Sequence, residues 1–80
     1  EFRRVLFRSS PDGQSLVFSS GSELRKIAVS GGAPVAVAPA ADISGISWES
    51  DGTIFYGTLD GIWRVAAAGS APERILRAGE

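Results

Sequence analysis

Short apolar runs alternate along this chain with residues that favour tight turns. In the first half, the runs cover residues 16–18, 24–29 and 34–37. Pro11-Asp12-Gly13 precedes the first run and Gly31-Gly32 follows the second. Both sequences suit tight turns, because proline presets φ and glycine accepts positive φ. No stretch carries the 3.6-residue apolar period of an amphipathic helix, so we predict strands and no helix.

The second half repeats this order with one more element in front. Its predicted strands cover residues 43–48, 54–56, 62–67 and 73–76, with turn sequences at 50–52 and 59–61. Short strands about ten residues apart and joined by tight turns predict an antiparallel four-stranded meander. Ile62 and Trp63 are neighbours and both apolar, which suits a sheet that is covered on both faces.

The two halves are copies of one unit. Asp12 and Asp51 lie 39 positions apart, whereas Leu24 and Ile62 lie 38 apart, so the copies differ by one residue in a single loop. A period near 40 with turn signals is typical of a propeller blade or a solenoid unit. We therefore predict an all-β fold of antiparallel four-stranded meanders, about two blades of an incomplete β-propeller. Residues 10–38 form a partial blade that lacks its inner strand, and residues 43–77 form a second blade.

The first nine residues are predicted not to be native. They match the translation of GAG TTC AGA CGT GTG CTC TTC CGA TCT, a widely used sequencing adapter, and such a segment is excluded from fold reasoning. In the repeat alignment Ser9 lies opposite Trp48. We therefore expect the native gene to encode an aromatic residue, most simply tryptophan, where Ser9 stands.

Composition narrows the function classes. Without residues 1–9 the chain has 71 residues, which leave little room for a core, so we expect a fragment that needs further blades of its parent chain. That segment retains 5 of 8 basic and 8 of 9 acidic residues, a net charge of about −3. This balance argues against nucleic-acid binding, which needs a clustered basic surface.

The chain contains no cysteine and no histidine. The prolines at 34 and 39 interrupt the longest weakly apolar stretch, so we expect no membrane contact from this segment.

No residue set predicts catalysis. Gly45-Ile46-Ser47-Trp48-Glu49 begins like a nucleophile elbow, but glutamate stands where the final glycine is needed, and the chain has no histidine to activate Ser47. Asp12 and Asp51 could hold a metal or polar ligand at a blade rim, but aspartate in such turns usually caps the turn's own backbone donors. We predict no catalytic, cofactor-binding or metal-binding residue and hence no enzyme.

Other polar and aromatic residues have structural interpretations beside their functional ones. Trp48 and Trp63 could stack on a ligand, but core packing between blades is the simpler interpretation. Lys26 and Arg64, equivalent in the two copies, suit solvated strand positions or an ion pair between blades before they suit a phosphate site. The sequence identifies no partner for Asp42 or Asp60.

The motifs resemble the TolB-type, WD-like repeat of bacterial β-propellers. The resemblance rests on Ser-Pro-Asp-Gly at residues 10–13, Trp48 before Ser-Asp-Gly, Gly31-Gly32, and Ile-Trp-Arg-Val at residues 62–65. It covers nearly all of residues 10–76. Ser70 in place of a second glycine and Glu49-Ser50 in place of Ser-Pro depart from the pattern.

This resemblance implies a non-catalytic module for binding, sensing or scaffolding. In amino-acid sequence, the repeats are most similar to propeller arrays at the C-terminus of bacterial serine/threonine kinases. This similarity favours an extracytoplasmic location and a protein or peptide partner. Two alternatives stay open: the gating propeller of a prolyl-oligopeptidase-like hydrolase, and a periplasmic TolB-like interaction protein.

Overall fold

The computed structural model describes residues 7–77, in which eight strands and no helix are present. In chain order the strands are β1 (Phe7–Ser9), β2 (Ser15–Ser20), β3 (Glu23–Ala28), β4 (Val35–Pro39), β5 (Gly45–Trp48), β6 (Thr53–Thr58), β7 (Gly61–Ala66) and β8 (Glu73–Arg77). Within this part of the chain, nothing helical is long and apolar enough to cross a membrane.

The strands form two antiparallel four-stranded sheets, each a simple meander. The first sheet has the order β1-β2-β3-β4 and the second the order β5-β6-β7-β8. The predicted all-β class and the meander order are confirmed. Two-residue turns join the central hairpins, Gly21-Ser22 in the first sheet and Leu59-Asp60 in the second.

The first sheet takes its fourth strand from the segment before residue 10. Residues 10–38 carry β2, β3 and β4, and β1, from residues 7–9, pairs with β2 and completes the meander. Ladder hydrogen bonds use backbone groups, so a segment of foreign sequence can still fill this place beside β2. The adapter origin of residues 1–9 stays a prediction, and residues 1–6 lie outside the described residues.

The two sheets correspond to each other in the hydrogen bonds of their turns. The amide of Val29 donates to the carbonyl of Gln14 at 2.9 Å, and 38 positions later Ala67 donates to Gly52 at the same distance. The pairing registers of β2 with β3 and of β6 with β7 also match at an offset of 38, whereas β1 matches β5 at 39. The extra residue of the first copy therefore lies in the β1–β2 turn.

The core lies between the two sheets. Because paired residues and every second residue share a face, Val17 and Leu24 mark one face of the first sheet, and Ile54, Tyr56 and Val65 mark one face of the second. These side chains are at most 2 % exposed and belong to one apolar cluster. We call these the inner faces and the opposite surfaces the outer faces.

The turns and loops of both sheets lie at two opposite ends, which we call the upper and the lower end. The upper end carries the β2–β3 turn, the β6–β7 turn and the connection from β4 to β5. The lower end carries the turns between β1 and β2 and between β5 and β6, with the longer β3–β4 and β7–β8 loops.

The backbone of β8 passes so close to Gly61 that it leaves no room for a side chain there. Its φ is 141°, and a Cβ atom there would lie 2.0 Å from the carbonyl oxygen of Leu76. A side chain is therefore opposed by both backbone conformation and a backbone atom that cannot rotate away.

We predict that Gly61→Ala lowers the free energy of unfolding by about 2–4 kcal/mol, because a strained backbone and an overpacked contact add. Gly45→Ala is the matched control, since Gly45 lies in a strand, has no positive φ, and a Cβ atom there meets nothing within 4 Å. Urea titration at one protein concentration measures both variants. Equal losses in the two would contradict the role given to the approach of β8.

Candidate functional site

A cavity of about 470 Å³ opens between the two sheets at the upper end. The turns of both sheets and the β4–β5 connection contribute to it. Its walls are formed by Ser22, Pro39, Ala40, Ala41, Asp42, Tyr56, Thr58, Leu59, Asp60 and Trp63. We refer to this as the upper cavity.

Tyr56 places a buried hydroxyl group at the upper cavity. The residue is 2 % exposed, and its hydroxyl has no hydrogen-bond partner among the described residues. Burial raises the pKa of the phenol, and the negative charge of Asp60 raises it further. A buried hydroxyl without a partner loses hydration without compensation, so this atom favours any group that can bond to it.

Asp60 is fixed at the mouth of the cavity by two side chains of its own hairpin. The Thr58 hydroxyl and the Trp63 indole N–H both donate to Oδ1, the second at 3.1 Å. These hydrogen bonds, that of Thr58 first, lower the pKa of the Asp60 carboxyl, and the positive charge of Arg74 adds to the effect. The carboxylate is exposed and stays ionised at neutral pH.

Trp63 and Asp60 already hold one cation. The guanidinium carbon of Arg74 lies 5.7 Å from the centre of the Trp63 ring, and Arg74 Nη1 lies 3.8 Å from Asp60 Oδ2. A cation over an indole face with a carboxylate beside it is a recognised favourable arrangement. The chain itself thus shows which chemistry this pair accepts.

Asp42 brings a second carboxylate to the upper cavity from the β4–β5 connection. Its φ is 56°, in the left-handed region that aspartate tolerates better than most residues. Sequence reasoning found no partner for Asp42 and Asp60; the structure places both on the walls of one cavity.

The two turn aspartates serve their own turns. Asp12 Oδ1 accepts from the amide of Gln14, and Asp51 Oδ1 from the amide of Thr53, each at 3.0 Å. The Ser10 hydroxyl is the main cause of a lowered pKa at Asp12, and the Thr53 amide is the main cause at Asp51. The capping interpretation of both residues is confirmed.

Both tryptophans pack against the core, as their simpler interpretation predicted, and both are only half-buried. Trp63 also lines the upper cavity. Trp48 lines a smaller cavity of about 230 Å³ at the lower end, together with Asp12 and Ala67.

Lys26 and Arg64 occupy equivalent positions but make different contacts. Lys26 Nζ donates to the carbonyl of Ala67 at 2.6 Å and so connects the two sheets. Arg64 forms an exposed ion pair with Glu73 in its own sheet, at 2.8 Å. Arg64 is thus an exposed strand residue, one of its two expected interpretations, whereas Lys26 bonds to a backbone oxygen of the other sheet and not to a carboxylate.

Ser47, the serine of the elbow-like sequence, lies exposed on β5. Its hydroxyl donates to the carboxylate of Glu49. This contact is local to the turn that follows β5.

Sequence analysis did not identify Tyr56 as a site residue. It stands inside an apolar run, and only knowledge of which face of β6 turns inward would have shown that its hydroxyl reaches the end of the core. Alternation along the run is the one signal available, and it does not say which face is buried.

In the described part of the chain, no group of three or more aspartate or glutamate side chains is close enough to hold a metal ion. No family model matches the chain, and no curated protein or solved structure matches it either.

We predict that Thr58→Val raises the pKa of Asp60 towards its ordinary value of 3.8, because it removes the main cause of the shift. A lowered native pKa contributes stability that is complete above pH 3.8 and is lost as the pH falls through the native value. Carboxyl-carbon NMR titration between pH 2 and 6 measures the shift directly.

Thr53→Val provides the control for Thr58→Val. It should alter the titration of Asp51, to which Thr53 donates, and leave Asp60 unchanged. A Thr58→Val titration in which the Asp60 curve stays in place would contradict the assigned hydrogen bond.

Proposed function

We propose that this chain is part of a bacterial β-propeller that serves as a non-catalytic module for binding, sensing or scaffolding. Two features support the proposal: the motifs described above, and two consecutive meanders of the same register that share one core. The parent we favour is a serine/threonine kinase that carries such repeats at its C-terminus.

The observation that carries a binding role is the upper cavity with the unpartnered Tyr56 hydroxyl. Loops and strand ends build this cavity, and loops are where a rigid scaffold carries specificity. The equivalent of Tyr56 in the first sheet is Phe18, which has no hydroxyl and lies on the outer face, half-buried.

The ligand that best fits is a peptide segment carrying a guanidinium or ammonium group. Asp42 and Asp60 supply negative charge, Trp63 an aromatic face, and the Tyr56 hydroxyl a hydrogen-bonding group for the peptide backbone. Arg74 occupies the Trp63 face in this chain. A ligand arginine would take its place or stack beside it.

We predict that acetyl-Gly-Arg-Gly-amide shifts the indole N–H resonance of Trp63 and leaves that of Trp48 in place, because Trp48 lies at the lower end. The same peptide with glutamate in place of arginine is the ligand control. Two-dimensional NMR titration of the 80-residue chain distinguishes the two indoles. Equal shifts with both peptides would contradict the charge-based assignment.

Tyr56→Phe should weaken binding of the arginine peptide about fivefold, the loss of one hydrogen bond of about 1 kcal/mol. The same substitution should leave the free energy of unfolding unchanged or raise it, since it removes a buried hydroxyl without a partner. A role in packing alone would give no change in binding. A loss of stability would contradict the assignment of the hydroxyl as free.

The complete reading frame separates the kinase-attached proposal from its alternatives. We expect a kinase domain and a membrane helix upstream of these repeats. An α/β-hydrolase with a Gly-x-Ser-x-Gly elbow downstream would replace the proposal with a gating propeller. A short frame with neither would favour a TolB-like interaction protein. Long-read sequencing of the locus decides among the three and also shows which residue precedes Ser10.

A further inference from the structure

Arg74 lies on the inner face of the second sheet, directly beside Trp63. The two residues pair across β7 and β8, and paired residues of an antiparallel ladder share a face. On its other side Trp63 pairs with Tyr56 of β6, and both of these residues line the upper cavity. The sheet therefore carries a cation of its own next to the aromatic ring of the proposed binding site.

A bulge in β8 brings Arg74 to this face. Ile62 pairs with Leu76 and Trp63 pairs with Arg74, so Ile75 is the extra residue between them. A bulge changes the face to which the following side chains point. In a regular ladder Ile75 would stand opposite Trp63, and Arg74 would lie on the outer face.

The first sheet has the same bulge with a different residue at the position of Arg74. Val37 is the extra residue there, and Arg25 pairs with Ala36. Arg25 and Ala36 are the equivalents of Trp63 and Arg74 at 38 positions earlier. A bulge of this kind therefore forms with alanine at this position, and the cation is particular to the second sheet.

Arg74 is held at the site by weak contacts. Its guanidinium carbon lies 5.7 Å from the centre of the Trp63 ring, and its Nη1 lies 3.8 Å from Asp60 Oδ2. The second distance is longer than a hydrogen bond, and the Asp60 side chain is 60 % exposed, so water screens this ion pair. The hydrogen bonds from Thr58 and Trp63 both go to the other oxygen, Oδ1. Asp60 Oδ2 can therefore accept hydrogen bonds from a cation that comes closer.

We propose that Arg74 is an internal competitor of the peptide ligand, which occupies the Trp63 ring and faces Asp60 Oδ2 until a guanidinium group of the ligand displaces it. The ligand gains what Arg74 lacks in this position, namely N–H hydrogen bonds to a carboxylate oxygen. This inference rests on the proposed function, because it assigns the regulation of the same cavity.

The competition raises the requirements for a ligand. Arg74 stays attached to β8 beside the ring, so an incoming cation competes with one of high effective concentration. A cation that makes only the ring contact gains nothing over Arg74. A peptide that also bonds to Asp60 Oδ2 and to the Tyr56 hydroxyl does gain, so the site selects for ligands that use the whole cavity.

Arg74→Ala should tighten binding of acetyl-Gly-Arg-Gly-amide about two- to fivefold, the factor that corresponds to one cation–π contact at an exposed site. Arg64→Ala is the matched control. It removes the same charge from the position next to Trp63, but Arg64 lies on the outer face, in an ion pair with Glu73, and should change the affinity much less. NMR titration of the 80-residue chain gives the three affinities.

Displacement can also be observed on the Arg74 side chain itself. In the free chain the indole ring current should shift the δ-methylene resonances of Arg74 away from those of the exposed Arg64. At saturation with the arginine peptide this difference should disappear. Two-dimensional NMR spectra confirm that each variant is folded, and a poorly folded Arg74→Ala is replaced by Arg74→Gln, which removes the charge and keeps most of the chain length.

The outcomes separate this inference from the proposed function. Tighter binding by Arg74→Ala supports the inference, and so does a peptide that binds this variant alone. Equal or weaker binding by Arg74→Ala, equal tightening in Arg64→Ala, or an Arg74 shift that persists at saturation overturns the inference and leaves peptide binding at the upper cavity in place. A peptide that binds neither the wild-type chain nor Arg74→Ala overturns both.

Discussion

The structure depends on the burial of one apolar face of each sheet against the other. Neither meander could bury such a face alone, because a four-stranded sheet has only two surfaces and no layer of its own to cover them. Val17 and Leu24 from the first sheet and Ile54 and Val65 from the second become fully or almost fully buried only because the sheets stack. Lys26 adds the hydrogen bond that connects the sheets at the lower end.

The stacking also determines where a site can form. Strand pairing and the apolar cluster occupy the middle of the two sheets, so the space left between them lies at the ends, where turns replace ladders. At the upper end the connection from β4 to β5 crosses from one sheet to the other. It brings Asp42 to the cavity that Asp60 of the β6–β7 turn also lines.

The sequence was sufficient to predict the class of fold, the order of strands and the turns. Gly31-Gly32, Asp12-Gly13 and Asp51-Gly52 specify their conformations locally, and the repeat doubles each signal. Sequence analysis stopped where the outcome depends on partners distant in sequence. The place of residues 7–9 beside β2 follows from backbone pairing that composition does not show. Which face of β6 turns inward, and hence the position of the Tyr56 hydroxyl, depends on the neighbouring sheet.

Comparison of the two copies separates the scaffold from the site. Scaffold positions keep their character: Leu16 corresponds to Ile54, Ile27 to Val65, and the glycines that close the β3–β4 and β7–β8 loops coincide at Gly31 and Gly69.

The positions around the upper cavity change their character between the copies. Those that carry its chemistry in the second sheet are Tyr56, Asp60, Trp63 and Arg74, and their equivalents in the first sheet are Phe18, Ser22, Arg25 and Ala36. The polar groups around Tyr56 and Asp60 are therefore particular to the second sheet and are not among the features that the two sheets share.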